Sequence, residues 1–402
     1  MRTAQKPRSV LGEEEETHIA ERSAVRSVRH YDAIVVGCGA MGSSASYNLA
    51  RRGLKVLTLD QFGLNHELGS SHGKTRIIRL AYYEDERYVP LLKRAFESWL
   101  ELQERSGKTL LRMTGGLMIG RADGELVAGV LRSARSHALQ HRQLSAREAQ
   151  EEFGAFRLDD VYSAVYEENA GILFPEECIR AFVAQAENSG CEFRFSEPVT
   201  KWTRTGRGVE VETAKESYSA DRVVFCAGAW IGRLLGGLLP LTVERQVPFW
   251  FASNGERRFT PDKMPVFIME EDPGLFFYGI PDVGHGVKVA RTHGGQMVEP
   301  DKVDREVTAE DAAPVEAFVS RRLDRLAVPA VGSTTCLYTN TPDLNFAVGL
   351  HPEDPRVAVV SACSGHGFKF AGVLGEVVAD LLTGGRSPYD ISFLRLDRFV
   401  GK

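Results

Sequence analysis

The residues best suited to chemistry fall in four short phrases. Ser71-His72-Gly73-Lys74-Thr75-Arg76-Ile77-Ile78-Arg79-Leu80-Ala81-Tyr82-Tyr83 crowds cations around a small apolar pair. On a strand, Arg76 and Arg79 face opposite sides, so one could meet a cofactor while the other grips a carboxylate with its planar fork. Taken alone, a charge run of this kind usually faces water. Ser364-Gly365-His366-Gly367-Phe368-Lys369 is a glycine-rich entry into a helix; it offers backbone donors, or is simply a tight turn. Lys369 in the first helical turn opposes the helix dipole, which implies a compensating anion. Lys288, in Gly286-Val287-Lys288-Val289-Ala290, is a charge inside a strand pattern, either functional or an edge gatekeeper. Cys336, in Thr334-Thr335-Cys336-Leu337-Tyr338, is a reactive thiol or, as lone cysteines more often are, an apolar filler.

Other chemistries find no support. The six cysteines show no CxxC pairing or metal-ligand spacing and fit a reducing compartment, so the cytoplasm is expected. His137 and His141 stand at i, i+4, but Ala138 occupies the place where a zinc protease carries glutamate, and both are expected on a helical surface. His18, His30, His285 and His293 form no metal or triad pattern. A net charge of −5 gives no reason to expect nucleic acid or an anionic membrane as partner. No apolar run is long enough to cross a bilayer.

The elements that must position these phrases begin with Asp32-Ala33-Ile34-Val35-Val36-Gly37-Cys38-Gly39-Ala40-Met41-Gly42, followed by a helical segment and Leu57-Thr58-Leu59-Asp60. This is a strand, a glycine-rich turn, a helix opening and a second strand ending in an acid. Gly37 permits the turn, Gly39 lets backbone approach a pyrophosphate, and Gly42 lets the helix pack close. The helix N-terminus would hold the phosphates, and Asp60 a ribose diol. The pattern does not separate FAD from NAD. Asp221–Trp230 is a second strand entering Ala227-Gly228 and a helix, and Arg356–Ser361 leads into the glycine-rich turn of the tail. The expected fold is α/β, a discontinuous Rossmann-like dinucleotide domain (31–90, 175–240 and 336–402) with a mixed-sheet substrate domain (91–174 and 241–335). Residues 1–30, with the acidic run Glu13–Glu16, read as a mobile extension without the apolar core of a secretory signal. Tyr88–Gly107 has the spacing of an amphipathic helix. Ser145 and Glu148 form a capping box in a Glu125–Phe153 segment expected to be helical in two pieces. Glu192–Phe195, Pro198–Trp202 and Gly208–Glu212 alternate like a meander.

In this order, these segments resemble the monomeric sarcosine oxidase and N-methyltryptophan oxidase family of amine-oxidising flavoproteins. The resemblance runs from about Tyr31 to Phe399 and is most specific in Ser71–Tyr83, Thr335–Asp343 and Ser364–Glu376. It implies a glutathione-reductase-like fold and FAD joined by a thioether to Cys336. It places Lys288 near the flavin, helping O2 accept electrons, and gives Arg79 and Lys369 the substrate carboxylate. Tyr278 and Tyr338 would line the pocket with Met269 nearby. His72 and Arg76 would stand close to the flavin ring, and Val199 would meet adenine through its backbone. The rest of the expected cofactor set is Gly37, Gly39, Ala40, Met41, Gly42, Asp60, Gln61, Ser71, Thr75, Ile77, Ala227, Gly228, Trp230, Gly365, His366, Gly367, Phe368 and Lys369. No metal is expected.

One departure stands out. Sarcosine oxidases usually read Lys-x-Gly-Tyr-His, whereas here the segment is Lys288-Val289-Ala290-Arg291-Thr292-His293, with histidine one residue late. His293 is therefore a candidate that the shift could carry out of reach, and Arg291 could reshape the pocket or bind a second acidic group. The implied activity is oxidation of a secondary or N-methyl amino acid by O2, giving H2O2 and an imine that water hydrolyses, in a chain expected to be monomeric. The competing readings are a flavin dehydrogenase with another electron acceptor, an oxidase of primary or cyclic amino acids, and a flavin-binding sensor with a vestigial pocket.

Overall fold

The computed structural model describes Met1 and residues 29–399, so most of the expected N-terminal extension lies outside the described residues. Arg29 and His30 already belong to the first strand, Arg29–Val36.

An eight-stranded sheet forms around that strand, which runs parallel to Val56–Leu59 on one side and to Ser217–Phe225 on the other. Strands near its centre are apolar because both faces are covered. Four helices, Ala40–Ala50, Val89–Ser106, Pro175–Asn188 and Ala371–Gly384, contribute to the core on one face. In Val89–Ser106 the buried stripe includes Leu91, Leu92, Ala95, Trp99 and Leu102, as the spacing predicts. The last third of the chain returns to the sheet as Asp354–Ser361, parallel to Ser217–Phe225. Ala347–His351, which the sequence pattern did not mark, pairs with it as an antiparallel edge.

A second eight-stranded sheet contains Gly116–Arg121, Val266–Asp272, Leu275–Ile280 and Val287–Thr292. The helix Ala309–Arg322 packs Val315, Phe318 and Val319 into the core on one face. Between the large sheets lie a three-stranded sheet carrying Arg76–Arg79 and a two-stranded one pairing Thr242–Gln246 with Cys336–Asn340.

Three local expectations change. Glu192–Arg194 is not part of a meander: it pairs with Val56–Leu59 at the sheet edge opposite Val199–Thr205. Between the two expected helical pieces the chain forms a strand, Arg142–Ser145, although the Ser145–Glu148 capping box is present as read. His137 caps the helix Glu125–Ser136 and Ala138 takes a positive φ of 52°, so His141 leaves that helix and no shared helical face exists.

Candidate active site

The phosphate end is built from close backbone packing. Gly37 has φ of 98°, and a Cβ on Gly42 would stand 1.7 Å from the Gly37 carbonyl oxygen, so the turn and the helix can meet only without side chains. A Cβ on Gly39 would meet only Ser71 Oγ, at 3.4 Å, which leaves the approach to this helix open. The helix Ala40–Ala50 has no side-chain cap and no acid in its first turn; the Ala40 N–H donates to Ser71 Oγ at 3.2 Å. Its positive end therefore faces a cavity that suits phosphate. Asp60 accepts from Cys38 N–H at 2.6 Å and Phe62 N–H at 2.7 Å. Burial pushes its carboxyl up and those two donors oppose the rise. Each oxygen keeps a further lone pair for a ribose hydroxyl.

From there a cavity of about 610 Å³ runs between the sheets. Gly37, Gly39, Ala40, Met41, Asp60, Gln61 and Val199 line it, as do Ala227, Gly228 and Trp230. Ser71, Arg76, Ile77 and Cys336 also face it, together with Gly365, His366, Gly367, Phe368 and Lys369. His72 and Thr75 are buried beside it without lining it, and Gly42 packs behind the turn. Burial, with Arg76 and Lys288 nearby, pushes the His72 pKa down to about 3, so its ring is neutral. Among the described residues no cluster of three or more His, Cys, Asp or Glu side chains could hold a metal. The uncapped helix, the open Gly39 face and a cavity reaching from them to Cys336 fit an extended dinucleotide such as FAD.

Strand alternation sorts the reactive end. On Cys336–Asn340, Cys336 and Tyr338 share the cavity face, and Leu337 turns away into an apolar cluster. On Val287–Thr292, Lys288, Ala290 and Thr292 alternate with Val287 and Val289, which enter the second core. Lys288 is only 2% exposed; its Nζ donates to the carbonyls of Gly73 at 2.9 Å and Thr75 at 3.0 Å. Burial, and then Arg76, push its pKa well below the ordinary lysine value. Tyr278 pairs across the sheet with Ile268 and Ala290, and burial raises its hydroxyl to about 12. Ile268 lines the cavity here; Met269, one residue on, belongs to the second core.

His293 does reach the site. Its backbone is left-handed, φ 59°, just beyond the strand. Its ring lies 5.4 Å from that of Tyr338, and Nδ1 is 3.3 Å from Glu244, a buried acid that also accepts from Asn340 and Gly295. Arg291 falls in the alternation with Val289, and its guanidinium rests where a side chain on Gly294 would stand. It still contributes to the cavity lining.

The cation pair expected for a carboxylate is present, and it has an acid of its own. Arg79 is 2% exposed, with Nη2 2.6 Å from both oxygens of Glu84 and Nη1 donating to the Ala81 carbonyl at 2.7 Å. Burial opposes charge on both partners, yet each keeps the other ionised: Glu84 is held below the usual carboxylate range and Arg79 above its ordinary value. Lys369 Nζ donates to the His366 carbonyl at 2.6 Å and to the Tyr82 hydroxyl at 3.4 Å. Burial, and then Arg79, push it down to about 7. The His366 ring is fully engaged, with Nδ1 2.6 Å from Tyr82 Oη and Nε2 3.1 Å from the Leu344 carbonyl. A carbonyl can only accept, so Nε2 carries the proton and Tyr82 donates to Nδ1. Tyr82 lies in the cationic phrase without a role of its own, and Glu84 escapes a sequence reading because an acid beside tyrosines looks like ordinary surface chemistry. The one signal is an acidic run, Glu84-Asp85-Glu86, directly after a cationic phrase.

A family model described as FAD dependent oxidoreductase matches residues 32–381. The monomeric sarcosine oxidase of Streptomyces avermitilis is 40% identical over 367 residues, 90% of this chain and 96% of that protein. The N-methyl-L-tryptophan oxidase of Yersinia pestis is 37% identical over 371 residues, 92% of this chain and 99% of that protein. Among solved structures, NikD, an unusual amino acid oxidase essential for nikkomycin biosynthesis, superposes with a TM-score of 0.81 at 24% identity, covering 91% of this chain and 97% of its own; that likeness speaks for the fold alone. The chain therefore belongs to the FAD-dependent oxidoreductase family, in the group of sarcosine oxidases and N-methyltryptophan oxidases.

Proposed function

We propose that the chain oxidises the C–N bond of a secondary, N-methyl α-amino acid, with O2 as electron acceptor and H2O2 as product, and that it carries FAD covalently on Cys336. The observation that carries this reading is a single cavity with the buried Arg79 and Lys369 together among its lining and Lys288 and Cys336 also facing it. FAD, held along the Gly37–Gly42 turn, Asp60, Val199, Arg76 and the Gly365–Lys369 segment, supplies the two-electron redox chemistry.

The protein binds and orients. Arg79 meets the substrate carboxylate with its fork once Glu84 gives way, and Lys369 adds a second positive charge, so the desolvated carboxylate stays paired. Tyr278, Tyr338 and His293 bound the space for the amine and side chain, and they exclude water around it. The amine must enter or become neutral before a hydride can leave its carbon. Burial holds the Lys288 pKa below the ordinary lysine value, and negative charge developing on O2 beside it favours the ammonium form and is stabilised in return. This favours an oxidase over a dehydrogenase using another acceptor. The FAD-binding part, read as 31–90, 175–240 and 336–402, and the substrate part, 91–174 and 241–335, meet at this cavity. The protein acts as a monomer in this reading; among the described residues no helix is long and apolar enough to cross a membrane.

A screen of N-methyl, primary and cyclic amino acids under air, reading peroxide formed per substrate consumed, tests the activity. Dye-dependent turnover without peroxide refutes the oxidase. Acid precipitation should leave the yellow colour with the protein, and Cys336→Ser should release it. Colour that leaves with wild-type supernatant refutes the tether.

A further inference from the structure

One buried acid beside the site has no part in the chemistry above. Glu167 ends the strand Tyr162–Glu167 and is 1% exposed. Its Oε2 accepts the N–H groups of Ala81 at 3.0 Å and Leu80 at 3.2 Å, while Oε1 is buried without a partner. Leu80 and Ala81 are where the chain leaves the strand carrying Arg79 and turns toward Glu84. The carbonyl of the same Ala81 accepts from Arg79 Nη1. Ala81 is thus gripped twice, through its N–H by Glu167 and through its carbonyl by Arg79. The Nε of Arg79, like Oε1 of Glu167, is buried and unpartnered.

This arrangement matters because of what substrate binding asks of Arg79. If a substrate carboxylate takes the fork, Glu84 must move, and Glu84 lies five residues along the same chain. A segment free to follow Glu84 would carry the Ala81 carbonyl with it and pull Arg79 out of line. Glu167 stands on a different element, paired with Gly116 in the second large sheet and outside the Leu80–Glu84 segment. We propose that Glu167 is a positioning residue for the carboxylate clamp: by holding the Leu80 and Ala81 N–H groups it confines the exchange to the Glu84 side chain and keeps Arg79 in place. The proposal rests on the reading of Arg79 as the substrate-carboxylate site.

The test uses the flavin-loaded enzyme with Glu167→Leu, which removes the acceptor, and Glu167→Gln, which keeps a carbonyl oxygen for the two N–H groups. Three quantities are read: KM for the best N-methyl amino acid, the limiting rate of flavin reduction in a stopped flow, and the dissociation constant of acetate from its perturbation of the flavin spectrum. With Glu167→Leu, KM and the acetate constant should rise roughly tenfold while the limiting rate stays within about twofold, and Glu167→Gln should restore both constants to within about threefold of wild type. Unchanged constants in Glu167→Leu, or a limiting rate that falls as far as KM rises, overturn the proposal. Should Glu167→Leu not fold, Glu167→Ala is compared with and without Glu84→Ala. A smaller rise in KM in the Glu84→Ala background, where no Glu84 side chain pulls on the segment, supports the proposal, and an equal or larger rise overturns it. Wild-type enzyme that neither turns over an N-methyl amino acid nor responds to acetate defeats the functional reading and this proposal with it. A responsive wild type with unmoved variants defeats this proposal alone.

Discussion

Replacing Glu84 by glutamine should weaken the empty enzyme and strengthen its grip on substrate. In the wild type, Arg79 is almost wholly buried and both Glu84 oxygens lie 2.6 Å from one of its nitrogens. Removing one member of such a buried pair leaves an uncompensated charge and costs about 3–5 kcal/mol of stability. Glutamine keeps one oxygen acceptor, and Glu84 retains some solvent contact, so the lower end, about 3 kcal/mol, is expected. In the proposed function a substrate carboxylate breaks the same pair in the wild type, a cost that Glu84→Gln removes. Part of the lost stability should therefore return as affinity, roughly 1–2 kcal/mol or a five- to thirtyfold lower acetate dissociation constant. Thermal unfolding with and without acetate reads both quantities: Tm should fall in the variant, and the Tm gain on adding acetate should be larger than in wild type. A variant whose Tm falls while acetate binds more weakly would refute the reasoning. Glu84 would then be holding Arg79 in its binding posture instead of competing for it.

Arg79→Ala should raise KM by removing a desolvated ion pair, at most about 3–5 kcal/mol of binding, with a smaller effect on the limiting reduction rate; unchanged kinetics in a substrate titration would place the carboxylate elsewhere. Lys288→Met should slow reoxidation by O2 far more than reduction by substrate in stopped-flow traces, and equal slowing of both half-reactions would count against its role. Lys369 sits near 7 because burial and Arg79 oppose its charge, so an anion binds best while it is protonated. Acetate affinity should fall as pH rises through about 7, and Lys369→Met should flatten that profile. The linkage to stability has the opposite sense: the unfolded chain binds this proton more strongly, so the penalty of burying Lys369 is full below about pH 7 and fades as pH rises toward the ordinary lysine value.

What could be read from the chain alone was carried by local physics. Gly37, Gly39 and Gly42 are demanded by backbone approach over a few residues, and the Ser145–Glu148 box and the stripe Leu91 to Leu102 are patterns within one or two turns. The resemblance added residue roles to phrases such as Ser71–Tyr83, and the cavity lining collects most of them. Other features depend on which distant segments meet. Glu192–Arg194 looks like its neighbours in sequence, but it is the edge of Val56–Leu59 that it completes. His293 looked displaced in sequence, but the fold sets it beside Tyr338 and Gly365, from a left-handed residue just past its strand. Glu84 and Glu167 read as unremarkable acids. Only packing makes one the partner of Arg79 and the other the anchor of the turn behind it, because a carboxylate's worth is set by how far it is from water and which charge stands next to it.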